Sequence, residues 1–248
     1  MSSKILVIGE SCKDVFYYGK VNRLCPEAPV PVFKVVGNTE NGGMAKNVES
    51  NLVSLGNNVD LLTNENWQDI TKTRYVHADS NHMFMRVDQN DADYGTLSEE
   101  RFNEIDLTKY DAIIVSDYNK GFLTEDMLTI ISVMHNLVFL DTKKTLGPWC
   151  EHFNYIKINS KEYDLTKHTI NDTISNKLIV TRGPLGCTYG NKTYAVPNVE
   201  IKDTSGAGDT FVSGLCSEFC RTGDIDASIN FANDCATKVV QKKGVSIV

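Results

Sequence analysis

Short apolar runs alternating with amphipathic stretches set the rhythm of this chain. Lys4-Ile5-Leu6-Val7-Ile8-Gly9 is apolar throughout and stops at glycine, the form of a first strand buried on both faces. Val59–Leu62, Asp111–Asp117, Leu137–Lys143, Tyr155–Asn159 and Lys177–Gly183 repeat that form, most of them ending in polar residues. Between them the period changes. A helix is predicted from about Asn41 to near Gly56. In another, Phe211, Leu215 and Phe219 recur every fourth residue with Cys216 and Cys220 alongside, and Gly223 closes it. A last helix near Asp226–Lys243 carries Ile229, Ala232, Cys235, Ala236 and Val239 on one face, with two lysines and Gly244 at its end. Alternating strands and helices predict a three-layer α/β fold with a mostly parallel central sheet.

Two stretches break the rhythm. Val15–Gly19 with Val30–Val36, and Thr71–Val76 with His82–Asp88, are rich in β-branched and aromatic residues and read as two strand pairs. They predict a small β-sheet lid over about 15–38 and 72–94, inserted in one domain spanning 1–248. Four such strands leave an apolar sheet face, so the lid is expected to pack on the active site, on a partner's lid, or on both.

Composition narrows the classes. A chain of 248 residues with 41% hydrophobic content can bury a sizeable core. The net charge of −7 argues against nucleic acid or an anionic membrane as a partner. No apolar run is long enough to span a bilayer, and Met1-Ser2-Ser3-Lys4 leads into a strand rather than a signal peptide. Seven cysteines without a Cys-x-x-Cys read as reduced thiols in a cytoplasmic protein.

The chemistry concentrates in Asp203-Thr204-Ser205-Gly206-Ala207-Gly208-Asp209-Thr210. Three small residues at a helix N-terminus expose backbone amides to an anion, and the helix dipole adds to the attraction. A carboxylate beside an anion makes sense where it takes a proton from a hydroxyl attacking phosphorus. A glycine-rich turn with an aspartate at the helix start is the plainer alternative. No Gly-x-x-x-x-Gly-Lys-Ser/Thr loop and no His-Glu-x-x-His occurs, so neither a P-loop kinase nor that zinc site is indicated.

The whole string through Gly214 resembles the C-terminal signature of the ribokinase-like (PfkB) sugar kinases, and the resemblance runs from Gly9 to Gly244. It implies a ribokinase-like sandwich using ATP and Mg²⁺, with Asp209 as catalytic base and Gly206, Ala207 and Gly208 as the anion hole. Asp14, Gly43 and Asn47, the latter two from Asn41-Gly42-Gly43-Met44-Ala45-Lys46-Asn47, would hold the sugar. Asn159 and Glu162, from Asn-x-x-Glu, would organise phosphate and magnesium, with Glu162 the metal contact. Thr181, Arg182, Gly183 and Gly186 match the Thr-Arg-Gly-x-x-Gly nucleotide segment, and Asn233 would border the adenine.

Within the family, Pro26-Glu27-Ala28-Pro29-Val30-Pro31-Val32 with Arg23 upstream, and Ser116-Asp117-Tyr118-Asn119-Lys120-Gly121, resemble the branch of heptose-7-phosphate kinases of ADP-heptose synthesis. That implies D-glycero-D-manno-heptose 7-phosphate as acceptor, phosphorylated at O1, with Arg23, Arg86 and Lys120 on its phosphate and a homodimer through the lid. Another sugar, or a weakly catalytic sugar- or nucleotide-binding protein, stays open. Two departures stand out. Met44 occupies a position that is usually glycine in that branch, and a helix and strand usual in the family are missing between about 62 and 72.

Overall fold

The computed structural model describes residues 2–248. In chain order the strands are β1 (Lys4–Gly9), β2 (Lys13–Leu24), β3 (Pro31–Asn41), β4 (Asn58–Leu62), β5 (Thr71–His77) and β6 (Met83–Gln89), then β7 (Ala112–Asp117), β8 (Val138–Thr142), β9 (Tyr155–Asn159), β10 (Leu178–Thr181), β11 (Cys187–Tyr189) and β12 (Lys192–Tyr194). The helices are α1 (Gly43–Ser54), α2 (Glu99–Asn103), α3 (Glu125–Met134), α4 (Ser160–Thr166), α5 (Asp172–Ser175), α6 (Ala207–Thr222) and α7 (Ile225–Val239).

Eight strands form the main sheet in the order β12-β11-β10-β9-β8-β7-β1-β4. β4 through β10 are parallel, and β11 and β12 close one edge antiparallel. Each strand end with polar residues therefore opens on the same side of the sheet, where ligands bind in open α/β folds.

The period-two alternation divides the core. Leu6, Ile8, Ile113, Val115, Leu140 and Ile158 pack on one face with Phe102, Leu128, Ile131 and Phe153. Ile5, Val7, Ile114, Phe139 and Ile179 pack on the other with Val48 and Leu52 of α1, Phe211 and Leu215 of α6, and Ile229 and Ala232 of α7. Each such side chain contributes roughly 1.5–3 kcal/mol on burial, so the sheet is fixed from both faces and the strand ends are rigid platforms.

Residues 63–70 replace the missing helix and strand with a short tied loop, leaving β4 as the sheet edge. Asn64 Oδ1 accepts from Ser11 N at 2.8 Å, Arg101 Nη2 donates to Thr63 O at 2.9 Å, and Ile70 is fully buried.

The second sheet, in the order β3-β2-β5-β6, has antiparallel outer pairs and a parallel centre. Register aligns Asp14 with Lys72 and Asp88, and Phe16 with Arg74 and Arg86. The next row aligns Tyr17 with Tyr75 and Met85. One face of this lid is thus charged and the other aromatic. Tyr17 stacks on Tyr75, and Phe33 meets Tyr75 and Phe84 edge-on. The charged face turns toward the core.

Two expected helix limits change. α7 stops at Val239, and Lys242, Lys243 and Gly244 lie in the following turns. Here Gly244, at φ 69°, serves a close approach, since a Cβ there would lie 2.8 Å from the Tyr18 hydroxyl. α1 starts irregularly, with Met44 at φ 49° and ψ −126°.

Candidate active site

The N-terminus of α6 sits at the strand ends, between the lid and the loop leading out of β12. Gly206 caps it in the left-handed region at φ 79°. A Cβ on Gly206 would fall 2.7 Å from Asn47 Nδ2, and one on Gly208 would fall 2.8 Å from Lys157 Nζ. Both glycines therefore admit a polar side chain against the backbone. Among the described residues, no backbone or side-chain acceptor takes the amides of Gly206, Gly208 or Asp209. Ala207 differs from the expectation, because its amide donates to Thr204 O at 3.3 Å. Three free amides at a helix start make an anion site.

Asp209 is 5% exposed. Asn47 Nδ2 donates to its Oδ2 at 2.7 Å, and the Tyr118 hydroxyl donates to its Oδ1 at 2.7 Å. Burial pushes its carboxyl up from the usual range, and these two hydrogen bonds pull it back down. Asn47 is itself held. Asn51 Nδ2 donates to Asn47 O at 2.8 Å, and Thr210 Oγ1 donates to Asn51 Oδ1 at 3.2 Å, so polar contacts lock α1 to α6.

On the lid side a pocket is lined by Asp14, Gly43, Met44, Asn47, Lys72, Arg74, Arg86, Tyr118, Lys120 and Lys143, with Asp209 in its wall. Five cations face it, and each has a carboxylate partner. Arg74 pairs with Asp14, Arg86 Nη2 with Asp88 at 2.5 Å, and Lys143 with Glu162 at 2.9 Å. Asp91 takes Lys120 at 2.6 Å and Lys72 at 3.3 Å. The Lys72 ammonium also lies 3.6 Å from Met44 Sδ.

On the opposite side of the α6 N-terminus runs an apolar cleft. Val196, Pro197, Val199, Ile201, Phe211, Ala236 and Val240 line it, with Thr181, Gly183, Gly186 and Asn233 at the polar positions and Ala207 and Gly208 at its inner end. Its shape and lining suit a flat heterocycle whose phosphates reach the free amides. Below that junction Lys157 Nζ pairs with Asp141 Oδ2 at 2.9 Å, a buried pair formed by register neighbours on β9 and β8.

The pfkB family carbohydrate kinase model matches residues 64–248. The chain belongs to the pfkB family of carbohydrate kinases. It is a phosphotransferase with an alcohol acceptor, and the family implies ATP as donor. The chain is 29% identical over 299 residues to the Bifunctional protein HldE of Helicobacter pylori strain HPAG1, covering 98% of the chain and 64% of that relative. It is 30% identical over 304 residues to the Bifunctional protein HldE of Haemophilus influenzae strain PittEE, covering 99% and 62% respectively. The chain thus spans less than two thirds of the length of these relatives. Each alignment is longer than the 248 residues of this chain, so within it the relatives carry residues that this chain lacks. Ribokinase from Thermotoga maritima matches with a TM-score of 0.70 at 16% identity, over 98% of this chain and 94% of that one. Phosphofructokinase-2 from Escherichia coli in complex with potassium matches with 0.70 at 13%, over 100% and 95%. At these identities the two structures speak for the ribokinase-like fold alone.

Within this pfkB chain the expected site residues separate into three groups. Asp14, Gly43, Asn47, Arg86, Lys120, Gly206 and Asp209 converge on the lid-side pocket, and Thr181, Gly183, Gly186, Ala207, Gly208 and Asn233 on the apolar cleft. Asn159 and Glu162 lie between them and close a reciprocal cap on α4, with Asn159 N donating to Glu162 Oε2 at 2.7 Å. Glu162 Oε1 accepts from Lys143, so both of its oxygens are engaged. Among the described residues no group of three or more His, Cys, Asp or Glu could hold a metal. A magnesium ion here would be held mainly by nucleotide phosphates and water, with Glu162 the carboxylate at hand.

Besides Asn159 and Glu162, two more expected residues line neither the pocket nor the cleft. Arg182 lays its guanidinium over the Tyr163 ring at 5.8 Å. Arg23 is exposed near the far end of β2, donating only to Leu24 O at 3.4 Å. It lies nine residues along the strand from Asp14, roughly 30 Å at an extended rise, and does not reach the pocket of its own chain. In its place the structure brings in Lys72, Arg74, Lys143 and Tyr118. The usable signal was alternation, because Lys72 and Arg74 share the face of Asp14 and Phe16 once β5 is paired beside β2.

Proposed function

We propose that this chain transfers the γ-phosphoryl group of ATP to the anomeric O1 of a phosphorylated sugar, D-glycero-D-manno-heptose 7-phosphate. The observation that carries the reading is the placement of Asp209 at a helix N-terminus between a cation-lined pocket and an apolar cleft. The acceptor hydroxyl gives its proton to Asp209 as its oxygen attacks phosphorus. The amides of Gly206, Gly208 and Asp209 take up charge on the phosphoryl oxygens, about 3 kcal/mol per well-placed donor. Magnesium would enter with the nucleotide phosphates and neutralise charge there.

Lys72, Arg74, Arg86 and Lys120 support an acceptor that already carries phosphate. These four cations share only three carboxylates, Asp14, Asp88 and Asp91, so the cluster keeps one positive charge in excess, which a phosphate monoester matches and a bare sugar does not. The curated relatives and the two branch-specific motifs favour heptose as the sugar. Met44 favours a second reading. Its side chain is 6% exposed and lines the pocket, and glycine there would leave more room, so a smaller sugar phosphate is the alternative acceptor.

The same reading includes a homodimer through the lid. Val36, Phe84 and Met85 are 58%, 39% and 52% exposed on a sheet whose charged face is already committed to the pocket. An apolar sheet face of this kind is expected to be covered by a second copy.

A coupled ADP-release assay across heptose 7-phosphate, fructose 6-phosphate, fructose 1-phosphate, ribose, fructose and adenosine tests the acceptor. Heptose 7-phosphate should give the highest kcat/KM. If an unphosphorylated sugar or a nucleoside wins, the sugar-phosphate reading is wrong and kinase activity stands.

A further inference from the structure

Tyr118 follows directly after β7, and its contacts exceed what a turn residue needs. Its hydroxyl donates to Asp209 Oδ1, while Asn47 from α1 donates to Oδ2. Two donors from two elements fix the plane of the carboxylate and leave each oxygen one free lone pair. Tyr118 is itself held from both ends. Glu10, fully buried just after β1, accepts from Tyr118 N at 2.8 Å and from Lys120 N at 3.1 Å. The Lys143 ammonium lies 4.7 Å from the centre of the Tyr118 ring and is tied to Glu162. The ring thereby joins the lid-side pocket to the α4 cap.

We propose that Tyr118 is the positioning residue of the phosphotransfer, its hydroxyl orienting the Asp209 carboxylate toward the acceptor hydroxyl. This rests on the reading of Asp209 as the base. In the step, the acceptor O–H bond breaks and its proton goes to Asp209. The acceptor oxygen bonds to the γ-phosphorus, and the bond from that phosphorus to the bridging oxygen breaks, its electron pair leaving with ADP. Burial alone pushes the Asp209 carboxyl up from its usual range. Tyr118 and Asn47 oppose that. Asp141 adds to the upward push, Lys157 on β9 counters it, and Lys143 also senses the Asp209 charge. Cys12, which lines the same pocket, also acts on the Tyr118 hydroxyl.

The test is the pH profile of kcat for Tyr118→Phe, read by ADP release with ATP and heptose 7-phosphate, or the best acceptor of the panel above. Phenylalanine keeps the ring and removes one donor from Asp209. The acid limb should move to higher pH by about one unit, and the plateau should fall on the order of tenfold. KM for ATP and the melting temperature should stay near wild type. Tyr118→3-fluorotyrosine, a stronger donor of nearly the same shape, should move the limb the other way, and carries the test should the phenylalanine variant not fold. An acid limb that coincides with wild type in the folded variant overturns the proposal, whatever happens to the plateau. Asp209→Asn run in parallel separates the two ideas. Near-wild-type turnover there removes the base and the positioning role together. An inactive Asp209→Asn with an unmoved Tyr118→Phe limb removes only the role of Tyr118.

Discussion

Replacing Met44 by glycine and, separately, by alanine should reverse the usual order of those two residues. Met44 sits at φ 49° and ψ −126°, backbone that L side chains adopt only under strain. Strain of this kind costs about 1–3 kcal/mol. Both variants lose the same buried thioether, a loss of about 2–5 kcal/mol. Their difference therefore isolates the backbone. Glycine relieves the strain but loses roughly 0.5–1 kcal/mol more chain entropy on folding than alanine. The balance favours glycine by about 1 kcal/mol, against the ordering found inside regular helices. For a chain of this size that is about 2–4 °C in Tm. Urea titrations with matched slopes give the difference directly, and calorimetry checks it. If Met44→Ala is as stable as Met44→Gly or more so, the strain argument at this position is wrong.

Asp209→Asn should lower kcat by on the order of 10²–10⁴ with little change in ATP affinity, since the loss lies in the transition state. Light scattering should give a dimer for the wild type, and Phe84→Glu with Met85→Lys should shift it to monomer; a monomeric wild type with and without substrate rejects the lid interface. Arg86→Ala and Lys120→Met should each raise KM for the sugar phosphate far more than KM for ATP, whereas Arg23→Ala should raise it less than either. An Arg23 effect equal to that of Arg86 would mean that the far end of the lid reaches a pocket after all.

Strand runs and the α6 N-terminus were legible because each is written locally. Ile5–Ile8 needs no partner to be read as a buried strand, and Gly206-Ala207-Gly208-Asp209 carries its geometry in its own glycines. What stayed hidden depends on pairing between distant segments. Asp141 and Lys157 are separated in sequence and meet because β8 and β9 lie in register. Tyr118 was inside a motif already noticed, yet its role depends on α6 and α1 arriving at the same point. Arg23 was misplaced for a related reason. β2 runs twelve residues and carries Arg23, with the proline-rich motif that follows it, away from the site. The end of α7 was overextended because lysines and glycine suit a helix terminus equally well one turn later.

The lid shows how one strand pattern serves both a site and a surface. Side chains on β5 alternate, so Lys72 and Arg74 face the pocket while Thr73 and Tyr75 face outward. A slip of one residue would exchange the two sets and place Tyr75 where Arg74 pairs with Asp14. Pairing with β2 on one side and β6 on the other fixes the register of β5. The irregularity between Tyr75 and Val76 comes only beyond the pocket row, where Phe84 is the extra residue on β6. Substitutions that weaken the outer aromatic cluster should therefore reach the acceptor through register rather than through direct contact. In the monomeric Phe84→Glu, Met85→Lys variant, KM for the sugar phosphate should rise while KM for ATP holds. If both constants hold, the pocket row keeps its register without the outer face, and the two faces of the lid act independently.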